Sequence, residues 1–319
     1  MVRHLTILDG GMGKELRRIG APFRQPEWSA LALMDAPEFV FQAHTNFIEA
    51  GAQTIITNNY AVVPYHLGDA VIADRGAALT RASGELARQA ADAAAHPVSV
   101  AGSLPPLFGS YEPEHFDALR APALYSMIVA SLAPFVDLWV AETLSLVSEL
   151  DVIVEAVRQH GAGQRLWAAF ALPDHYGDDD SGGSHIALRS GDTVDDIVAT
   201  VSRHRDIVDA VLFNCSLPEQ ISPALMELTA KLAAVGLDVR TGAYANAFPD
   251  AHVEGYAANS DIYERRDDLT AEAYGDIVDE WVAGGATIIG GCCDMYPEHI
   301  AVLARRHASA TSEGSETSA

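Results

Sequence analysis

The chain holds three cysteines in 319 residues, Cys215, Cys292 and Cys293. Each closes an apolar run rich in β-branched residues: Ala210-Val-Leu-Phe-Asn-Cys215 and Thr287-Ile-Ile-Gly-Gly-Cys-Cys293. One thiol and one vicinal pair, at the ends of two expected strands, supply three sulfur ligands to one zinc ion. Three protein ligands leave one tetrahedral position open, the pattern of a catalytic rather than a closed structural zinc. A closed site would need a fourth cysteine or a histidine, and the chain has no fourth cysteine. Zinc also suits thiol chemistry. A free thiol, with a pKa of about 8.5, is mostly protonated at neutral pH, whereas a metal-bound thiol is deprotonated outright. The competing readings are buried cysteines that only pack, or a Cys292–Cys293 disulfide with a redox role.

The sequence must also bring these distant residues together. Short apolar runs recur at 5–9, 54–58, 98–103, 138–142, 166–172, 210–215, 239–244 and 287–292. Most are continuous rather than alternating, as strands buried on both faces are. Helical spacing fills the intervals at 37–50, 70–94, 124–136, 144–160, 193–204, 218–235, 271–283 and 297–307. Strands alternating with helices imply parallel pairing through right-handed crossovers. Eight such units predict one α/β domain, a (β/α)8 TIM barrel over residues 1–308. An open doubly wound sheet would want a Gly-x-Gly-x-x-Gly loop, and Asp9-Gly-Gly-Met-Gly13 has the wrong spacing. The polar segment 173–191 reads as a long loop after strand five, and the tail 309–319 as disordered.

Composition narrows the partners. Net charge is −24, and only Lys14 and Lys231 are lysines. Such acidity argues against nucleic acid and anionic membranes. No apolar run is long enough to cross a bilayer, and the N-terminus lacks a secretory pattern. An odd cysteine count fits a reducing cytoplasm. Small molecules are the expected partners; self-association is left open.

In a barrel the C-terminal strand ends meet at one mouth. That mouth collects Asp9-Gly10-Gly11, Asn58-Asn59-Tyr60, Gly102-Ser103, Glu142-Thr143, Asn214-Cys215, Tyr244, Asn246 and Gly291-Cys292-Cys293. Adjacent side chains of a regular strand point to opposite faces, so Gly290-Gly291 is expected to lend the freedom that turns both sulfurs inward. Asn214 is expected to orient a thiolate or a substrate carboxylate. Tyr60 and Trp28 are expected to offer aromatic faces to a cationic ligand. Gly10, Gly11 and Ser103 complete the expected substrate-binding set. His4, His44, His66 and the other histidines show no ligand spacing and read as surface or packing residues.

Several of these segments carry a resemblance. Asp9-Gly-Gly-Met-Gly-Lys-Glu-Leu16, Trp28-Ser-Ala30, Gly51-Ala-Gln-Thr-Ile-Ile-Thr-Asn-Asn-Tyr60, Ala101-Gly-Ser103, Ala141-Glu-Thr143, Asn214-Cys-Ser216 and Gly290-Gly-Cys-Cys293 together resemble the homocysteine S-methyltransferase family. The resemblance spans about residues 5–307, and the Asn-Cys with Gly-Gly-Cys-Cys combination is its most specific part. It implies a zinc-dependent barrel that methylates homocysteine to methionine, with Cys215, Cys292 and Cys293 as the zinc ligands. It implies that Glu142 binds the amino group of homocysteine and that the Asp9-Gly10 loop lies near that substrate. Donors in the family are S-methylmethionine, S-adenosylmethionine or betaine, and the Trp-Ser-Ala segment is closer to the S-methylmethionine users. Two loops depart from the family pattern: Ser103-Leu-Pro-Pro-Leu-Phe-Gly-Ser-Tyr111, and Tyr244-Ala-Asn-Ala-Phe248 where Tyr-Pro-Asn-Ser-Gly is usual. Another thiol acceptor, or a non-catalytic thiol-sensing barrel, are the rival readings.

Overall fold

The computed structural model describes residues 4–176, 186–249 and 265–308. Part of the 173–191 loop and the whole 309–319 tail lie outside these residues. Eight parallel strands run β1 (Thr6–Ile7), β2 (Thr54–Ile56), β3 (Ser99–Leu104), β4 (Leu138–Leu144), β5 (Leu166–Phe170), β6 (Val208–Asn214), β7 (Arg240–Ala245) and β8 (Ile288–Gly291). They pair in the order β1-β8-β7-β6-β5-β4-β3-β2. The Leu8–Thr54 bridge joins the two ends, with Gln53 N donating to Ile7 O at 2.8 Å and Asp9 N to Thr54 O at 3.1 Å. The expected (β/α)8 barrel is therefore present.

Eight of the helices follow the expected intervals: α3 (Pro37–Glu49), α5 (Asp69–Asp92), α6 (Ala121–Leu132), α7 (Val147–His160), α8 (Val194–Arg203), α9 (Pro218–Ala234), α10 (Ala271–Ala283) and α11 (Pro297–Arg306). Three short ones were not expected: α1 (Met12–Arg18), α2 (Ala30–Asp35) and α4 (Pro64–Leu67). They are too brief for helical periodicity to show, and their stability comes from tertiary packing. Helix α7 begins at Val147 rather than 144, because β4 runs on to Leu144 through a register shift between Ala141 and Leu144. Bulges of this kind re-aim side chains beside active sites, and this one contains Glu142 and Thr143.

The strands are apolar on both faces, yet the two-residue period still sorts them. Leu8, Ala101, Val140, Ala169, Leu212 and Ile288 point into the barrel and pack with one another. Val100, Ala141, Phe170, Phe213, Ala243 and Ile289 point outward against the helices. The inward parity carries on to Ser103, Glu142, Asn214 and Tyr244, which puts the polar residues at the C-terminal mouth. At the lower end, Trp167 fills the barrel, and the Arg240 guanidinium lies 5.0 Å from its ring centroid.

Glu149 is a buried acid outside the mouth with a raised pKa. Glu149 in α7 is 3% exposed and accepts a 2.6 Å hydrogen bond from Tyr125 Oη of α6. Burial raises its pKa to about 7, against the lowering effect of that hydrogen bond. An unfolded glutamate titrates near ~4.3, so the folded chain binds the extra proton between these two values. Stability from this group is complete below the unfolded value and is lost as pH rises toward 7. We therefore expect Glu149→Gln, which keeps the acceptor oxygen, to come nearest the parent in thermal melts at pH 4, below the unfolded value, and to gain on it as pH rises to 8. An unchanged difference between the two pH values would contradict this.

Candidate active site and thiol cluster

The tip of β7 places the cysteines. Cys215 N donates to Tyr244 O at 3.1 Å, and Cys292 N to Ala245 O at 2.8 Å. In return Asn246 N donates to Ser216 O at 3.1 Å, and Ala247 N to Cys293 O at 3.0 Å. The four-residue tip thus holds both cysteine segments by backbone alone, so its departure in side chains from the family pattern does not disturb them. Ala245 brings an N–H that a proline would lack, and Tyr274 Oη accepts it at 3.2 Å while donating to Gly290 O at 2.6 Å.

The sulfurs converge as a result. Sγ of Cys215, Cys292 and Cys293 all lie within 4.8 Å of one another, and Cys215 and Cys293 are 3.7 Å apart. Three sulfurs about 2.3 Å from one tetrahedral ion stand roughly 3.8 Å apart, so the donor set and its spacing fit zinc. No disulfide links them. Hydrogen bonds from Cys292, Cys293 and Tyr111 hold the Cys215 thiol below its usual pKa, and the contact with Cys215 together with burial pushes Cys292 and Cys293 up.

The backbone turns at Cys215 (φ 46°) and Asp294 (φ 63°), both in the left-handed region. Each such non-glycine residue costs of order 1–3 kcal/mol. The expectation that Gly290 and Gly291 supply the turn is corrected: neither has positive φ. They allow close approach instead. A Cβ on Gly290 would fall 2.5 Å from Leu8 Cβ, and one on Gly291 would overlap Met295 Cβ. Gly10 and Gly11 are equally confined, a Cβ on Gly11 falling 2.6 Å from Cys292 O.

A cleft opens over the cluster. It encloses about 910 Å³ counting the open solvent at its mouth. Asp9, Gly10, Gly11, Trp28, Tyr60 and Glu142 line it with the three cysteines. Asp9 and Glu142 are 3% and 6% exposed. Burial raises the pKa of Glu142 to about 7, against the lowering effect of Ser103. It raises that of Asp9 well above its ordinary value, and the nearby Glu142 adds to the rise. Two buried acids on one wall favour a cationic ligand. Asp9 also takes Ile56 N at 2.8 Å and gives its carbonyl to Gly291 N at 2.9 Å, fastening the seam where the barrel closes.

Two of the expected site residues stand behind the wall. Ser103 does not line the cleft; its Oγ donates to Glu142 Oε1 at 2.5 Å. Asn214 does not line it either. Its Oδ1 accepts Thr143 N at 2.8 Å and its Nδ2 donates to Thr143 Oγ1 at 2.9 Å. This clamp reaches across β5 and fixes Thr143 at φ 59°, which sets the direction of Glu142. Ser103 thus holds Glu142 directly, and Asn214 holds its neighbour Thr143.

Other wall residues escaped the sequence reading. Tyr111 Oη lies 3.0 Å from Cys215 Sγ, with the Arg189 guanidinium 4.8 Å from its ring centroid. Ser110 Oγ pairs with Tyr60 Oη at 2.7 Å. Both sit in the loop noted only as a departure. His66 lines the cleft, with Nδ1 2.8 Å from Pro26 O, which corrects its reading as a mere surface or packing residue. His44, fully buried, with burial driving its pKa to about 3, is a packing residue as expected. Nothing in the side-chain order of residues 104–111 points to the thiols; only the fold brings Tyr111 over.

Comparisons agree with the geometry. The family model for homocysteine S-methyltransferase matches residues 6–307. The homocysteine S-methyltransferase of Escherichia coli is 30% identical, over 95% of each chain. A selenocysteine methyltransferase of Astragalus bisulcatus is 27% identical, over 92% of this chain and 90% of its own. The crystal structure of the Escherichia coli homocysteine methyltransferase MmuM in its metallated form superposes with a TM-score of 0.74 at 28% identity, covering 95% of this chain and 96% of that one. The chain belongs to the homocysteine S-methyltransferase family, and it is a methyltransferase on a (β/α)8 barrel.

Proposed function

We propose that the protein is a zinc-dependent methyltransferase that moves a methyl group from an onium donor, foremost S-methylmethionine, to the thiol of homocysteine. The observation that carries this reading is the trio of sulfurs, within 4.8 Å of one another, at the floor of a cleft walled by two buried acids. Zinc held by Cys215, Cys292 and Cys293 would supply deprotonation of a substrate thiol at its remaining position.

The chain's own groups do the rest. Glu142, ionised and held by Ser103, receives the α-ammonium of homocysteine, with Asp9 beside it. Binding there sets the substrate sulfur over the cysteines. Tyr60, Tyr111, Tyr244 and Trp28 line the cleft, and their ring faces suit a sulfonium. The reaction forms a bond from homocysteine sulfur to the methyl carbon and breaks the donor's methyl–sulfur bond. The electron pair stays on the donor sulfur, which becomes neutral, and the thiol proton leaves to solvent. S-methylmethionine and homocysteine thereby yield two methionines. Alignment of the two substrates in a confined cleft supplies much of the acceleration.

Two outcomes test this. Cys292→Ala should lose methyl transfer to homocysteine and lose bound zinc with its far-UV circular dichroism retained; wild-type turnover by that variant would end the proposal. Glu142→Gln should raise the KM for homocysteine at pH 8 by roughly 10- to 100-fold, the scale of a charged hydrogen bond. In the wild type that KM should climb as pH falls below about 7, where Glu142 takes up its proton. The variant should lack this component, and identical pH profiles would remove Glu142 from the ammonium site.

A further inference from the structure

The cleft wall holds a cation that the reading above does not use. Among the described residues lining it, Lys14 is the only lysine or arginine. It is one of two lysines in the whole chain. Its side chain is 5% exposed, and its Nζ lies 3.1 Å from Asp294 Oδ2, itself 2% exposed. Buried lysines are rare unless paired, and this pairing does more than neutralise. Asp294 follows Cys293 directly and sits at φ 63°. The contact ties α1 to the thiol-bearing end of β8, and so fixes the ammonium beside the cluster.

The charges in the wall are asymmetric. Asp9 and Glu142 face the cleft as two acids, and Lys14 stands among the same lining residues. An α-amino acid carries an ammonium and a carboxylate on one carbon. The acids suit the ammonium; the carboxylate, leaving water, needs a charged donor of its own. A lysine ammonium has three donors, so it can hold Asp294 and a ligand carboxylate together. We propose that Lys14, positioned by Asp294, anchors the α-carboxylate of an amino-acid substrate and makes the site selective for amino-acid substrates over simple thiols or simple onium compounds. This rests on the methyl-transfer reading above, in which acceptor and donor are both amino acids.

The test uses matched substrates. Homocysteine is compared with its decarboxylated aminothiol, and S-methylmethionine with its decarboxylated aminosulfonium, on the zinc-loaded wild type, Lys14→Met and Lys14→Arg. The wild type should prefer the carboxylated member of at least one pair by roughly 10- to 100-fold in kcat/KM. Lys14→Met should erase most of that preference and Lys14→Arg should keep part of it. The pair that changes shows whether acceptor or donor is held. A preference unchanged in both pairs, or absent from the wild type, overturns the proposal and leaves Lys14 a structural tie. Removing one member of a buried pair destabilises; should Lys14→Met fail to fold, the Lys14→Met/Asp294→Asn variant, with no unpaired charge, carries the same comparison. Failure of the methyl-transfer reading looks different: no acceptor is methylated by any onium donor. Calorimetric binding of homocysteine and S-methylmethionine to wild type and Lys14→Met then decides the role of Lys14 by itself.

Discussion

Everything at this mouth depends on the backbone ladder at the end of β7. Tyr244 O and Ala245 O receive the amides of Cys215 and Cys292, while Asn246 N and Ala247 N return to Ser216 O and Cys293 O. Two segments remote in sequence are thereby locked into one register, and three sulfurs share a space one ion can fill. The left-handed turns at Cys215 and Asp294 would relax if isolated. They persist because bonds on both sides over-determine them. Under the proposed function, backbone held in this way would keep the three thiols preorganised for one ion.

Electrostatics follow from the same placement. The cysteines form the floor of the cleft, and Asp9 and Glu142 place two acids on its wall. Glu142 does not stand alone. Glu142 is aimed by the β4 bulge, by the Asn214 clamp on Thr143 and by the Ser103 hydroxyl. Ser103 N is in turn held by Thr57 Oγ1 at 2.9 Å, and Asn59 Nδ2 binds Ser103 O at 2.9 Å. A chain of buried polar contacts thus runs from the end of β2 through β3 to the Glu142 carboxylate in the cleft wall. Each member is nearly or fully inaccessible, and each would leave a costly orphan if removed.

Much of this was legible in the sequence, and the limits have physical causes. The alternation of continuous apolar runs with helical stretches gives the barrel, because strands buried on both faces and amphipathic helices leave strong periodic signals. The cysteines at strand ends give the cluster once the barrel is granted. Hidden from that reading are features made by long-range contact. Tyr111 reaches Cys215 across more than a hundred residues. The roles of Ser103 and Asn214 depend on which neighbour their polar atoms meet, and residue type does not tell this. Helices α1 and α2 are too short to show periodicity, so the approach of Lys14 to Asp294 was invisible. Gly290 and Gly291 were read as hinges and prove to be clearance, since a glycine alone does not say whether freedom or space is being used.

The most direct measurement is zinc K-edge absorption on reduced, zinc-loaded protein, before and after addition of homocysteine. Three sulfur neighbours at about 2.3 Å, joined by a fourth when homocysteine binds, are the expected result. A first coordination sphere without three sulfurs, or one that homocysteine leaves unchanged, would contradict the central claim that three cysteines hold one ion ready for a substrate thiol.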